Sequence, residues 1–327
     1  MVVLDLRRLR MLRELEERGT LSAVAAALGY TPSAVSQQLA VLEKEVGARL
    51  LEKAGRGVRL TDAGRLLAQH AGVLLSAAEA ARADLAALTG EIRGTVRAAG
   101  LQSATRRVLI PAVARMLVDH PQVRVEISEL ELEQTLPELR LGTLDVVISD
   151  EYDGHPRPRP AGLRYTLLHE EPLKLVLPVT HPTAGHGGPV AVADLRDDVW
   201  VASAAGTGHH ALVVGTCRSL GGYEPDLRHR SNDADVQLEL VRTAGAVALL
   251  PSLTLPAADP TLAIRDVAEA DIGRRLVVIT REGPTPPALG AFLTAIREQA
   301  RRLDREPAPG AAPDTRGARS DDRAPRD

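Results

Sequence analysis

Cysteine, aromatic residues and lysine are all scarce in this chain of 327 residues. The sequence has one cysteine, Cys217, so no disulfide can form within it, and this usage is typical of a reducing compartment. Aromatic residues make up 2% of the chain, so its cores must be built from Leu, Val, Ala and Ile. The only lysines are Lys44, Lys53 and Lys174, and arginine supplies the other positive charges.

Targeting segments and catalytic motifs are missing as well. No stretch approaches ~20 uninterrupted apolar residues, and the first 20 residues carry arginines throughout, so we expect no membrane span and no signal peptide. We therefore expect a cytoplasmic protein. The motifs G-x-S-x-G, H-E-x-x-H and G-x-x-x-x-G-K-[ST] do not occur, so we assign no catalytic residue, metal or cofactor. The neighbours His209 and His210 would point in different directions on a helix, which disfavours a metal site.

What is present is ordinary globular composition, with 44% hydrophobic and 25% charged residues, enough for two or three compact units. The net charge is −3, but residues 1–60 carry ten Lys and Arg against seven Asp and Glu. The net charge of the whole chain does not indicate a nucleic-acid partner, but this asymmetry favours a basic N-terminal unit.

The first 60 residues predict three helices and a hairpin. Leucines at helical spacing predict a helix within 4–17, and a second helix over 21–28 ends at a glycine turn. Thr31 followed by proline predicts the start of a third helix that runs to about residue 46. Glycines and an alternating pattern over 47–60 predict a β-hairpin, or wing. Two helices joined by a tight turn and followed by a wing indicate a winged helix-turn-helix.

One face of the third helix is suited to the major groove of DNA. The apolar residues of this helix fall on one side, and small polar residues that can bond base edges and phosphates fall opposite. The predicted DNA-binding residues of the helix and wing are Thr31, Ser33, Ser36, Gln37, Gln38, Lys53, Arg56 and Arg59. The alternative is an ordinary solvated helix face.

A long helix is predicted from Asp62 to about Ile92. Its apolar residues repeat in steps of four and three, as in a coiled coil, at Leu67, Ala71, Leu74, Ala78, Ala81, Leu85, Leu88 and Ile92. This pattern predicts a linker helix over 62–93 that joins two copies of the chain. The alternative is an amphipathic helix packed on its own domain.

From Gly94 onward, strands and helices alternate, which predicts α/β units with mostly parallel sheets. Residues 163–178 predict two strands, and 287–303 predict a closing helix. The tail 304–327 is rich in Pro, Ala, Arg and Asp, and we expect it to be disordered.

Two strand-to-helix turns offer hydroxyl groups at helix N-termini, which favour anions. The predicted small-molecule contacts are Gln102, Ser103, Thr105, Thr207, His209 and Asn232. The alternative is that these residues only cap helices. Cys217 lies within a predicted helix and is interpreted as a small buried hydrophobe and not as a redox sensor.

The order of several N-terminal motifs resembles the LysR-type transcriptional regulators. The matching runs are Leu4–Leu9, Gly19–Ala25, Thr31–Leu39, Leu42–Leu50 and, most specifically, Val58–Gly64. The wing departs from the family pattern at Leu51 and at Lys53–Gly55. The resemblance covers about 65 positions and implies an α/β protein with a winged helix-turn-helix at 1–61, a linker helix at 62–93 and an effector-binding domain at 94–303.

That third domain is implied to be periplasmic-binding-protein-like, with lobe one at 94–166 and 267–303 and lobe two at 167–266. The resemblance therefore implies a regulator that binds double-stranded DNA and a small-molecule effector as a homodimer or homotetramer. Two alternatives are a solute-binding transport component and an α/β enzyme; the N-terminal unit argues against the first, and the missing catalytic motifs against the second.

Overall fold

The computed structural model describes residues 4–54, 57–87, 92–155 and 157–306, which form two compact units. The first unit holds the chain up to Asp150, with Pro158–Leu168 and Leu276–Ala300. The second unit holds Glu151–Arg157, His169–Arg275 and the chain from Arg301. Residues 307–327, to which most of the expected disordered tail belongs, lie outside the described residues, whereas residues 304–306 form a turn after the last helix.

The first unit begins with the predicted three helices and hairpin. Their bounds are α1 (Leu6–Arg18), α2 (Leu21–Leu28), α3 (Pro32–Val46), β1 (Leu51–Ala54) and β2 (Gly57–Leu60). The three helices start at Asp5, Thr20 and Thr31, whose side chains accept hydrogen bonds from backbone N–H groups of the first turn. Each helix ends at a glycine with positive φ, a conformation that costs glycine little.

The long helix α4 (Asp62–Ala87) is divided between two environments. Ala68 and Ala71 are buried in the core of the first three helices, where α4 packs mainly on α1. Exposed apolar side chains lie elsewhere on the helix, at Leu66, Leu74 and Leu85. The predicted heptad seam is therefore wrong at Ala71, because this small residue is buried in the core of the helix's own domain. Leu88 lies outside the described residues, and Ile92 lies beyond the described helix.

The remainder of the first unit is an α/β arrangement. Its elements are β3 (Gly94–Gly100), α5 (Gln102–Ala104), a π-helical turn (Thr105–Leu109), α6 (Ile110–Asp119), β4 (Val123–Glu129), α7 (Leu132–Leu141) and β5 (Val146–Tyr152). Strand β3 pairs in parallel with both β4 and β5, as the alternation predicted.

The second unit is built around residues 169–178 of β6 (Leu163–Pro178) and a core that includes Trp200. Its other elements are β7 (Val199–Ala202), α8 (Gly208–Thr216), a π-helical turn (Cys217–Gly221), β8 (Asp226–Arg230), α9 (Ala234–Ala244), β9 (Ala248–Pro251) and β10 (Leu262–Arg265). Strands β5, β6 and β11 (Gly273–Arg281) and helix α10 (Pro287–Leu303) each contribute residues to both units.

Two expectations about the strands are corrected. Residues 163–178 form one strand and not two. Pro172 lacks a backbone N–H and so removes one hydrogen-bond donor, but the next residue, Leu173, donates its N–H to Ile272 O at 2.8 Å and the strand continues. The sheets are mixed and not mostly parallel, since β9 and β10 pair antiparallel with β6. This antiparallel pairing keeps β10 in the second unit, although a crossover between lobes was expected near 264–267.

Candidate functional site

The exposed face of α3 carries the polar side chains that the sequence singled out. Thr31 caps the helix, its hydroxyl oxygen accepting from Ala34 N–H at 3.2 Å and lying 3.1 Å from Ser33 Oγ. The opposite face is buried in the core of the first three helices. The residues exposed on the outer face are Ser33, Ser36, Gln37 and Ala40. Helical spacing places a further exposed residue, Lys44, on the same face, beyond the residues predicted from the sequence.

Gln38 differs from its neighbour Gln37 because its side chain forms a hydrogen bond within the domain. Its side-chain oxygen accepts from Arg8 Nε at 3.0 Å, and Arg8 Nη1 donates to Glu45 Oε1 at 2.5 Å. Residues 38 and 45 are two helical turns apart, so Arg8 of α1 spans one side of α3. Gln38 is half-buried, and this bond gives it a part in holding α1 against α3.

The wing contributes two described cations. Lys53 is exposed on β1, whereas Arg59 on β2 bonds through Nε to Glu52 Oε1 at 2.7 Å across the hairpin. Both members of that pair are exposed, and such surface pairs contribute at most about 1 kcal/mol, so a phosphate can compete for Arg59. Arg56 lies outside the described residues.

In the first unit, α5 and the start of the π-helical turn that follows it hold three predicted contacts, in the turn that leads into α6. Thr105 is buried and its hydroxyl donates to Gly100 O at 3.0 Å, which ties the turn to the end of β3. Ser103 is 4% exposed, and Gln102 is half-buried. These side chains lie directly before or within a π-helical turn, a local distortion that is common at functional sites.

In the second unit, the turn before α8 is held by internal hydrogen bonds. Thr207 caps α8, accepting from His210 N–H at 3.2 Å and donating to Ala204 O at 2.8 Å. His209 Nδ1 accepts from Ser203 N–H at 3.2 Å, so its Nε2 carries the proton that is donated to Leu249 O at 2.7 Å.

Asn232 joins this turn to the neighbouring one before α9. Its side-chain oxygen accepts from Ala204 N–H at 2.9 Å, and the N-termini of α8 and α9 are thereby linked. Thr207, His209 and Asn232 therefore belong to one cluster, in which the Thr207 hydroxyl, both ring nitrogens of His209 and the side-chain oxygen of Asn232 bond within the protein.

Four further residues beside this cluster were not among the contacts predicted from the sequence. Gln237 is 2% exposed and donates to Ser231 O at 2.6 Å, whereas its carbonyl oxygen has no hydrogen-bond partner in the described part of the chain. A Cβ on Gly208 would lie 3.1 Å from the Tyr152 ring and 3.3 Å from Arg157 Nη2. No local pattern marks these positions, because residues far apart in the chain create the contacts.

Cys217 is fully buried beside Tyr223. Burial raises the pKa of the Cys217 thiol to about 12, although its hydrogen bond with Tyr223 opposes the shift. The interpretation of this residue as a small buried hydrophobe is confirmed. Across residues 4–306, apart from the short stretches left undescribed, no group of three or more His, Cys, Asp and Glu could hold a metal ion. None of the helices described is long and apolar enough to cross a membrane.

Comparison with known proteins identifies the family. Residues 6–65 match the bacterial regulatory helix-turn-helix of the LysR family, and residues 89–301 match the LysR substrate-binding domain. The chain belongs to the LysR family of transcriptional regulators, whose members bind DNA and small-molecule effectors.

Individual relatives are distant but similar over most of their length. The transcriptional dual regulator GltC of Bacillus subtilis is 25% identical over 278 residues, which cover 85% of this chain and 91% of the relative. A probable hydrogen peroxide-inducible genes activator of Mycobacterium xenopi is 32% identical, over 54% of this chain and 91% of the relative. Full-length CbnR in complex with its target DNA matches with a TM-score of 0.67 at 22% identity, covering 90% of this chain and 100% of that one.

Proposed function

We propose that this regulator reads operator DNA with the exposed face of α3 and with the wing. The observation that carries the proposal is the division of α3 into a buried apolar side and an exposed side bearing Ser33, Ser36 and Gln37. Thr31 at the helix N-terminus and the wing cations Lys53, Arg56 and Arg59 would bind phosphates, which position the protein without reading sequence. Gln37 and Ser36 would contribute specificity, and Gln38 would act through its bond with Arg8.

The experiment is a footprint on the DNA immediately upstream of the chain's own coding region, repeated over a salt series. We expect protection of a partly palindromic site, with an affinity that falls steeply as salt rises because phosphate contacts release counterions. Genome-wide selection of bound fragments would follow if that DNA were not protected. Failure of both experiments to yield a preferred site would contradict sequence-specific reading by α3.

We also propose that a small polar or anionic metabolite binds beside the turn before α8 and modulates DNA binding. Support comes from α8 and α9, whose N-termini are joined through Asn232 and favour negative charge. Residues Gln102, Ser103 and Thr105 of the other turn, with Thr207, His209 and Asn232, are the proposed effector contacts. The event at this site would be binding without turnover, and the protein would act in the cytoplasm, where its DNA lies.

A thermal-shift screen of small carboxylic and amino acids against the full chain tests this effector proposal. A ligand that binds only the folded protein raises its apparent stability, and we expect Asn232→Ala to diminish that rise. A rise that Asn232→Ala leaves unchanged would place the ligand elsewhere.

We further propose that the homo-oligomer uses two apolar surfaces. One is the exposed stripe on α4 that includes Leu66, Leu74 and Leu85, and the other is the outer face of α6. On α6, Ile110, Leu117 and Val118 are 51%, 66% and 78% exposed and recur at helical spacing. Two separate surfaces permit a tetramer, and sedimentation of Leu117→Glu should then give a smaller species than the unmodified chain.

A further inference from the structure

The helix α4 packs against α7 and β3 of the first unit, and Gly72 lies at one of these contacts. We propose that the contact between Gly72 of α4 and Thr143, just after α7, is a docking point that holds the winged helix-turn-helix against this α/β part. The inference rests on the proposed function, because its consequence for the regulator is a change in the DNA that the protein covers.

The contact requires a glycine. Gly72 is buried, and a Cβ at this position would lie 2.9 Å from Thr143 Cγ2 and 3.7 Å from Arg13 Nη1. Contacts under about 3 Å do not occur for real Cβ atoms, so any larger residue would force the two surfaces apart. Glycine in a helix interior costs about 1 kcal/mol relative to alanine, and close packing is a physical reason to keep it there.

Thr143 cannot easily turn its methyl group away from α4. Its hydroxyl lies 2.9 Å from Glu138 O and also within reach of the Glu138 carboxylate, and it donates its one proton to one of these two acceptors. Gly142, at φ 74°, ends α7 and directs the chain into this turn. Rotation of the Thr143 side chain would move the hydroxyl away from both acceptors, so a clash at Gly72 would be relieved by moving α4.

The docking turn is also tied to the sheet of the first unit. Arg281 of β11 donates through Nη1 to Leu139 O at 2.9 Å and to Leu144 O, the carbonyls on either side of the turn. Its Nη2 donates to Asp145 Oδ1 at 2.8 Å. A displacement of β11 would therefore move the turn on which Gly72 rests.

Open space borders the contact at Gly72. Cavities of about 400 Å³ and 250 Å³ adjoin it; Arg13 and Thr143 line the larger, and Val73 and Gly142 the smaller. Partial burial raises the pKa of Glu16 on α1, the like charges of Glu17 and Glu138 raise it further, and Arg13 and Arg65 oppose the shift.

A distance measurement in the full-length protein tests the docking point directly. Spin labels would be attached through Arg10→Cys on α1 and Arg124→Cys on β4, both exposed positions, with unlabelled chain added to dilute distances between copies. The native thiol of Cys217 is buried and should not take the label. Four proteins would be compared: the labelled parent, Gly72→Ala, Thr143→Ser, and the combination of the last two changes.

We expect Gly72→Ala to shift the distances to larger and more widely distributed values. Thr143→Ser alone should leave them unchanged, because it keeps the hydroxyl and removes only the methyl group that would clash. The combined variant should return to the parent distribution. An unchanged distribution in Gly72→Ala, or no recovery in the combined variant, would overturn the proposal, and circular dichroism would verify that every variant is folded.

Measurements of DNA binding distinguish a failure of the docking point from a failure of DNA reading by α3. Gly72→Ala should keep the affinity for a single half-site but alter the length of the footprint on a complete operator, with recovery in the combined variant. A restored distance without any specific footprint in the parent would support the docking point and contradict DNA reading by α3. A changed footprint with unchanged distances would support DNA reading and contradict the docking point.

Discussion

The exposed face of α3 and the turn before α8 both carry hydroxyl and amide groups, but these groups differ in what they already bind. On α3, Ser36 and Gln37 are exposed to solvent, and the helix beneath them is fixed by its apolar side. Before α8, the hydroxyl of Thr207, both ring nitrogens of His209 and the amide oxygen of Asn232 are bonded within the second unit.

This difference separates a preformed surface from a responsive one. A ligand that meets the α3 face displaces water, whereas a ligand that uses the α8 turn must replace internal hydrogen bonds or add to them. Exchange of internal bonds costs binding energy, and it couples binding to a rearrangement of the turn. A surface that reads DNA benefits from binding without rearrangement. An effector site benefits from a rearrangement of the turn, because effector binding must change the protein.

The largest expected effect concerns the backbone that supports the first surface. A Cβ on Gly64 would lie 2.2 Å from Leu50 O, which is backbone and cannot rotate away. Gly64→Ala should therefore lower the free energy of unfolding by about 3 kcal/mol and abolish DNA binding at elevated temperature. Chemical denaturation measures the loss. The control Gly57→Ala, whose Cβ would lie 3.7 Å from Ala54 O, should be tolerated, and equal losses in both variants would contradict the packing argument.

A smaller loss is expected in the second region. His209→Ala removes the partners of Ser203 N–H and Leu249 O, and buried groups left without partners should cost about 2 kcal/mol of unfolding free energy. The neighbouring His210→Ala is the matched control, because His210 is half-buried and should change the free energy by less than about 0.5 kcal/mol. If the two variants unfold alike, the internal bonds of His209 do not stabilise the turn.

The two adjacent glutamines of α3 offer a sharper contrast. Gln37→Ala should lose about 1.5 kcal/mol of binding to the specific operator and little on random DNA, since base contacts carry specificity. Gln38→Ala should instead lower the unfolding free energy, because Arg8 loses its partner. Lys53→Ala should weaken binding to both DNAs and reduce the salt dependence. Equal loss on both DNAs for Gln37→Ala would remove its proposed role.

At neutral pH the smallest effect concerns Cys217, because its thiol alters stability only at high pH. Because burial raises the pKa of this thiol to about 12, the folded protein keeps it protonated where an unfolded chain would ionise it. Its contribution to stability is complete below about pH 9 and should decline as pH rises toward 12. Alkylation at pH 8 should be slow in the native protein and fast in denaturant. Rapid alkylation of the native protein would contradict the burial and reopen a redox role.

The first three helices were predictable because their signals are local. Thr20 and Thr31 cap their helices within three residues, and Gly19, Gly29 and Gly47 end theirs, so the sequence alone locates the boundaries. The heptad interpretation of α4 failed at Ala71 because the periodicity indicates only that one face of the helix is apolar. It does not identify which part of the protein covers that face. The continuity of β6 through Pro172 depended on pairing with strands distant in the chain.

The sequence by itself determined the winged helix-turn-helix, the α/β alternation and the exposed face of α3, because each follows from periodicity and capping over a few residues. Only the tertiary structure decided that Arg8 engages Gln38, that Asn232 links two helix N-termini, and that Gly72 lies against Thr143. These contacts join residues that are 28 to 71 positions apart in the chain. No local sequence pattern indicates which of these residues will come into contact.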